Sequence, residues 1–163
     1  MKTLIALFCA LLLAGCGFQL RGTAQLPFET LHVQSSAGSQ FAAQVRRIIA
    51  GGSRTKIVDS AKEAEATLIV INELREKNIL SLSGAGRVRE FQLRYRVSYR
   101  MLNNKAVETI PTTEIALTRD FSFNDQDTLS KESEENLLFR DMQNDAVQQL
   151  VRRLQVAKLT PAS

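Results

Sequence analysis

The chain of 163 residues is 44% apolar and carries 21 basic against 17 acidic side chains, a net charge of +4. That is one domain's worth of material with enough apolar surface for a core, which excludes a disordered tail and a multi-span channel. Cys9, Cys16 and His32 are the whole supply of thiol and imidazole ligands, fewer than a structural zinc site takes.

Met1 and Lys2 give a positive start, and residues 4–13 (LIALFCALLL) form an unbroken apolar run of ten. Such a run is half of what a membrane-spanning helix needs, so it reads as the apolar region of a secretory signal. It ends in Leu13-Ala14-Gly15-Cys16, which resembles the bacterial lipobox: small residues admit a peptidase, and the cysteine thiol accepts a thioether-linked lipid. Cleavage before Cys16 leaves 148 residues without Cys9, so the mature fold rests on packing alone even in an oxidising compartment. Each buried CH₂ of an anchor contributes roughly 0.8 kcal/mol, and two or three acyl chains on Cys16 hold the protein stably at a membrane. The resemblance to bacterial lipoproteins further implies, from Gly17 in place of Asp after the cysteine, export onward to the outer membrane. The expected organisation is a signal peptide over 1–15, a lipidated cysteine and tether over 16–29, one domain over 30–158 and a short tail over 159–163. Phe18, Leu20 and Leu26 are too apolar for a freely solvated tether and predict a segment lying along a surface.

Thr30 to Gln34 alternates, with Leu31 and Val33 on one side and His32 on the other, and predicts a short strand with a solvated histidine. Ser39 caps a predicted helix in which Phe41, Val45, Ile48 and Ile49 share a face and Gly51-Gly52 close the end. Thr55 to Val58 reads as a candidate brief strand. The β-branched run Thr67 to Ile71 predicts a buried central strand whose character continues to Leu82. Residues 83–86 (SGAG) are turn chemistry. Beyond them Phe91, Leu93, Tyr95, Val97, Tyr99 and Met101 alternate strictly with Glu90, Gln92, Arg94, Arg96, Ser98 and Arg100. Period two over twelve residues means a long antiparallel strand with one face in the core. Asn103-Asn104 predicts a turn. The following strand puts Ile115, Leu117, Phe121 and Phe123 on one face with Arg119 interrupting, and Pro111 marks it as an edge or bulged strand.

Asp127 to Ser130 opens the last helix, whose Leu138, Met142, Ala146, Leu150 and Leu154 recur every four residues before Pro161 stops it. Its acidic residues (Glu132, Glu134, Glu135) gather toward the start and its basic ones (Arg152, Arg153, Lys158) toward the end, as a helix dipole favours. The expected fold is therefore α+β: a two-layer sandwich of two amphipathic helices on one face of a four-stranded, mixed but mainly antiparallel sheet, in the order β-α-β-β-β-α.

Catalytic signatures are missing from the sequence. There is no HExxH, CxxC, GxSxG, phosphate-loop or dinucleotide fingerprint. Asp120, Asp125 and Asp127 lack the spacing of a calcium loop and read as a solvated loop. The expectation is a protein that is no enzyme and uses no metal or cofactor. What rises above background is positive charge: Arg94, Arg96 and Arg100 on the polar face of one strand, with Arg87 and Arg89 just before it. Guanidinium groups suit bidentate binding of phosphate or carboxylate, although a solvated face that discourages edge pairing explains the same pattern. Nucleic acid is a poor partner, since the signal sends the chain away from it and no stacking aromatics are interleaved; anionic lipid is a better one.

Residues 16–22 (CGFQLRG) resemble the mature start of the LPS-assembly lipoproteins, the LptE or RlpB family, with the pattern C-G-[FW]-x-L-R-[GD]. Glu90 to Leu93 at the start of the long strand, Arg119 to Phe123 at the end of the last, and Lys131-Glu132 in the final helix resemble the family too. The resemblance implies two helices on a four-stranded sheet. It implies a lipid-anchored protein on the periplasmic side of the outer membrane that plugs the lumen of the LptD β-barrel one-to-one, helps that barrel fold and binds lipopolysaccharide. It places Lys131 where the family has a basic residue near the glycolipid phosphates. At the family's second basic position this chain has Gly84, leaving Arg87 or Arg89 as substitutes. Arg94, Arg96 and Arg100 would then face barrel carboxylates or lipid phosphates. The alternative is a free-standing periplasmic lipoprotein that carries a lipid between its helices and its sheet.

Overall fold

The computed structural model describes residues 25–124 and 127–158; Cys16 with its lipobox, Phe18 and Leu20, Asp125 and Pro161 lie outside the described residues. Strand β1 (Thr30–Gln34) leads into helix α1 (Gln40–Gly52), then β2 (Lys56–Ile57), three long strands β3 (Ala66–Leu82), β4 (Val88–Asn103) and β5 (Glu108–Ser122), and helix α2 (Thr128–Gln155). The sheet runs β2-β1-β3-β4-β5, with β1 parallel to both its neighbours and β3, β4 and β5 antiparallel. It has five strands where four were expected. The fifth is the two-residue β2, which forms because the chain leaving α1 returns beside β1, Lys56 N–H donating to Glu29 O at 2.8 Å and Val58 N–H to Leu31 O at 3.0 Å.

Both helices pack on the same side of the sheet. Leu31, Val33, Phe41, Val45, Ile49, Leu68, Leu93, Tyr95, Val97, Tyr99, Met101, Met142, Ala146, Leu150 and Leu154 form one core, to which Phe28 from the segment before β1 also belongs. The period-two reading of β4 holds residue for residue, its odd positions from Leu93 to Met101 buried against the helices. His32, expected to be solvated, is half-buried because Val58 returns beside it, its Nδ1 3.1 Å from Val58 O.

Ser39 caps α1 as expected, its hydroxyl accepting from Ala42 N–H at 3.1 Å. The end of α1 differs: Gly51 and Gly52 are helical, and Ser53 stops the helix by donating from both its backbone N–H (3.0 Å) and its hydroxyl (2.7 Å) to Ile49 O. A left-handed residue is unnecessary when a side chain satisfies the last carbonyl. Gly86, in contrast, does adopt φ +76° to close the β3–β4 hairpin. Pro111 sits in the edge strand β5, opposite an irregularity between Tyr99 and Met101 where its missing N–H removes no ladder bond. Helix α2 ends at Gln155, ahead of Pro161, so the proline is not what stops it. Asp120, read from sequence as part of a loop, lies in β5 and accepts from Gln92 Nε2 at 3.1 Å.

One irregularity decides what faces the helices. Val70 pairs with Tyr99 and Asn72 with Ser98, leaving Ile71 as an extra residue on β3. Before this bulge the even positions Leu68 and Val70 point into the core. After it the odd positions Glu73, Arg75, Lys77 and Ile79 pair with Val97, Tyr95, Leu93 and Phe91 on the helix side. The bulge thus turns three charged side chains to the helix side of the sheet, Glu73 half-buried and Arg75 and Lys77 exposed, and it leaves Ile71 half exposed rather than buried as the run over 67–71 predicts.

Candidate functional site

The expected basic residues fall into two groups on opposite sides of the sheet. Arg94, Arg96 and Arg100 occupy even positions of β4, on the face that no helix covers. They are not equivalent. Arg96 is held between the two adjacent strands, its guanidinium 3.2 Å from Glu76 Oε1 on β3 and 3.7 Å from Glu114 Oε2 on β5. Within this trio Arg96 Nε and Glu76 Oε2 are shielded from solvent and have no hydrogen-bond partner among the described residues. Its charge is therefore committed inside the sheet. Arg94 and Arg100 are exposed, and among the described residues neither makes a side-chain ion pair or hydrogen bond. Six residues separate them, about 20 Å along an extended strand, so they present two separate contact points rather than one pocket.

The second group gathers where the β3–β4 hairpin, the end of β5 and the start of α2 meet. Arg87 and Arg89 are exposed beside the hairpin turn, where the Ser83 hydroxyl accepts from Arg87 N–H at 3.1 Å. Arg89 continues the odd-numbered row of β4 toward the helix side, and its carbonyl accepts from Phe123 N–H at 2.8 Å. Lys131, on the first turns of α2, is largely covered, with its Nζ 2.8 Å from Glu134 Oε2 and 3.5 Å from Ser122 Oγ. Ser122 directly precedes Phe123, so Lys131 and Arg89 lie at the same end of the sheet. Gly84 stands at the open hairpin tip with nothing around it that a side chain would strike.

The structure adds a cation that sequence reasoning missed. Lys77 Nζ lies 4.2 Å from the centre of the Phe91 ring, 5.6 Å from Phe121 and 5.8 Å from Phe123, and 2.6 Å from Glu135 Oε2 of α2. Phe91 joins the other two rings, stacked on Phe121 and edge-on to Phe123. Ring faces carry negative charge, so they hold the ammonium as the carboxylate does. Further along β3, Arg75 lies over Tyr95 and Phe139 and donates to Gln143 Oε1 at 2.8 Å. The Gln143 amide in turn donates to Gln44 Oε1 at 2.6 Å, which ties α1 to α2 through one polar layer. Only the identities of the residues on β3 hinted at this; the bulge at Ile71 that turns them inward leaves no mark in the hydropathy pattern.

Among the described residues no group of His, Cys, Asp and Glu side chains could hold a metal ion, and no described helix is long and apolar enough to cross a membrane. A family model described as "LptE: Lipopolysaccharide-assembly" matches residues 28–154. The LPS-assembly lipoprotein LptE of Pectobacterium atrosepticum is 31% identical over 155 residues, covering 93% of this chain and 83% of that protein. The solution NMR structure of lipoprotein B from Nitrosomonas europaea superimposes with a TM-score of 0.76 at 43% identity, over 85% of this chain and 90% of that one. The crystal structure of rare lipoprotein B from Shewanella oneidensis gives a TM-score of 0.66 at 26% identity, over 77% and 92% of the two chains.

Proposed function

The chain belongs to the LptE family of lipopolysaccharide-assembly lipoproteins, which are not enzymes, and from that premise we propose that it is the lipoprotein subunit of the outer-membrane lipopolysaccharide translocon. In this reading residues 1–15 are removed, Cys16 carries the lipid anchor in the inner leaflet, and the domain enters the lumen of an LptD-type β-barrel in a one-to-one complex. There it assists assembly of the barrel and contacts lipopolysaccharide on its way to the outer leaflet.

The observation that carries this reading is the uncovered face of the sheet. Helices cover one face; the other presents Arg94 and Arg100 around the Glu76–Arg96–Glu114 trio, in which the Arg96 charge is already paired. A wide barrel lumen is polar and hydrogen-bonding, and an exposed guanidinium forms bidentate bonds with a carboxylate. A rigid sheet with two free arginines about 20 Å apart suits two separate contacts on a barrel wall. Lys131 with Arg89 or Arg87, at the hairpin end, suits phosphate groups of the glycolipid, Gly84 contributing no charge. The alternative of a free-standing carrier needs room for an acyl chain between the layers, and Tyr95, Met101, Met142, Ala146 and Leu150 fill that space with no exposure to solvent.

Depletion of the protein in its own cell tests the proposal. Loss of surface lipopolysaccharide and of the barrier to large hydrophobic antibiotics is expected, with rescue by the full chain and poor rescue by Cys16→Ala. An intact barrier and normal surface lipopolysaccharide after full depletion would contradict it.

A further inference from the structure

The start of α2 is attached to the sheet in an unusual way. The first buried apolar residue of this helix is Phe139. Ahead of it, Leu129 is 82% exposed and Leu137 is 49% exposed, and Asp127 at the N-cap makes no side-chain capping bond. The stretch from Thr128 to Leu138 is about 16 Å of helix, and as a terminal stretch with few buried apolar contacts it is the part of α2 that opens most easily. Apart from Leu138 at its end, which packs against the core, its inward-facing side chains are polar: Lys131, which reaches Ser122 and Glu134, and Glu135, which reaches Lys77.

We propose that Lys77 is a positioning residue for Lys131. Its ammonium, caught between the Glu135 carboxylate and the faces of Phe91, Phe121 and Phe123, pins the first turns of α2 to the sheet. Lys131 lies one helical turn before Glu135 on the same face, so the clamp fixes where Lys131 is presented at the end of β5. The three rings come from β4, from β5 and from the segment leaving β5, and the lysine comes from β3. The clamp therefore joins all three long strands to the helix at one point. Lys77 reaches that point only because the bulge at Ile71 turns the odd positions of β3 inward. The functional meaning of the clamp rests on the reading of Lys131 as a glycolipid contact; the clamp itself rests on the geometry.

The test uses the full-length lipoprotein purified in mild detergent together with whatever partner co-purifies, comparing Lys77→Met, Lys77→Arg, the swap Lys77→Glu with Glu135→Lys, and Lys131→Met. Hydrogen exchange is followed for backbone amides 132–138 and 142–154, and retention of purified lipopolysaccharide is measured on the same samples. Lys77→Met is expected to speed exchange over 132–138 by about tenfold while leaving 142–154 unchanged, and to lower lipopolysaccharide retention toward the Lys131→Met value. Lys77→Arg, which keeps a cation over the rings, is expected to behave as the native protein. The charge swap is expected not to rescue, because it sets a carboxylate against the ring faces. Native exchange over 132–138 in Lys77→Met, or full rescue by the swap, would overturn the clamp. Faster exchange with native lipopolysaccharide retention, in the face of a clear Lys131→Met loss, would overturn the positioning role. A Lys131→Met variant that retains lipopolysaccharide fully would instead overturn the lipid reading of Lys131, and the exchange rates would then decide the clamp alone.

Discussion

Tyr95 on β4 donates its hydroxyl to Glu73 Oε1 on β3 at 2.9 Å, while the other oxygen of the same carboxylate accepts from the Ser39 hydroxyl at 2.8 Å. Ser39 is also the N-cap of α1, so one carboxylate ties a fully buried tyrosine and a helix terminus to the bulged strand. Bonds to a charged acceptor in a half-buried place contribute more than neutral surface ones. Glu73→Ala is expected to destabilise the protein by about 1–2 kcal/mol, and a double-mutant cycle with Ser39→Ala is expected to show coupling of at least about 0.5 kcal/mol. Urea unfolding of the four proteins checks it, and strict additivity would show that the two contacts are independent.

The same relationship gives a pH dependence. Burial, then the hydrogen bond to Glu73 and the negative charge of that carboxylate, push the Tyr95 hydroxyl well above its ordinary value, with Arg75 opposing weakly. The unfolded tyrosine loses its proton near pH 10, whereas the folded one keeps it. The stabilisation is thus complete below about pH 10 and lost as the pH rises beyond that. The stability difference between the native protein and Tyr95→Phe is expected to shrink by about 1 kcal/mol between pH 9 and pH 11. A difference that stays constant across that range would contradict the argument.

The arginines of the open face separate into structural and exposed positions. Arg96→Glu places a third carboxylate between Glu76 and Glu114 and is expected to lower stability by about 1–3 kcal/mol. The pair Arg94→Glu with Arg100→Glu touches no described partner and is expected to change stability by less than about 0.5 kcal/mol, yet to reduce assembly of the barrel complex. Unfolding curves and the yield of complex from outer membranes measure the two effects separately. Normal complex yield from the double reversal would remove this face as the barrel contact.

The stripe of α2 is the main lock between the layers. Leu150 has no exposed surface, and Leu150→Ala is expected to cost about 2–5 kcal/mol through lost transfer energy and the cavity left behind. Arg119, paired with Asp145 at 2.9 Å but about half exposed, is expected to give no more than about 1 kcal/mol on change to Ala. Thermal unfolding of the two variants checks the ranking.

Much of this fold was legible in the sequence because its elements obey simple periods. The alternation from Phe91 to Met101, the four-residue stripe from Leu138 to Leu154 and the Ser39 cap all reappear in the structure at the positions read. Arg119, which breaks the apolar row of β5, was legible as an interruption but not as a partner of Asp145, since that contact joins elements 26 residues apart. The strand β2 was faint because two residues carry no period. The Lys77 clamp was invisible for two reasons. A one-residue bulge at Ile71 inverts the facing of everything after it, and Glu135 lies 58 residues away from the lysine it meets. Similarly, the like-charged row of Arg94, Arg96 and Arg100 looks uniform in sequence, and only the register of β3 and β5 shows that the middle member is already neutralised. The lipid-anchor signature around Cys16 is legible in sequence alone.

The most direct test of the central claim is purification of the full-length lipoprotein from outer membranes in mild detergent, with the co-eluting proteins identified and their stoichiometry determined. Seating in an LptD-type barrel predicts one large β-barrel protein at one-to-one. The lipoprotein eluting alone, in a detergent that leaves other outer-membrane barrel complexes intact, would contradict it.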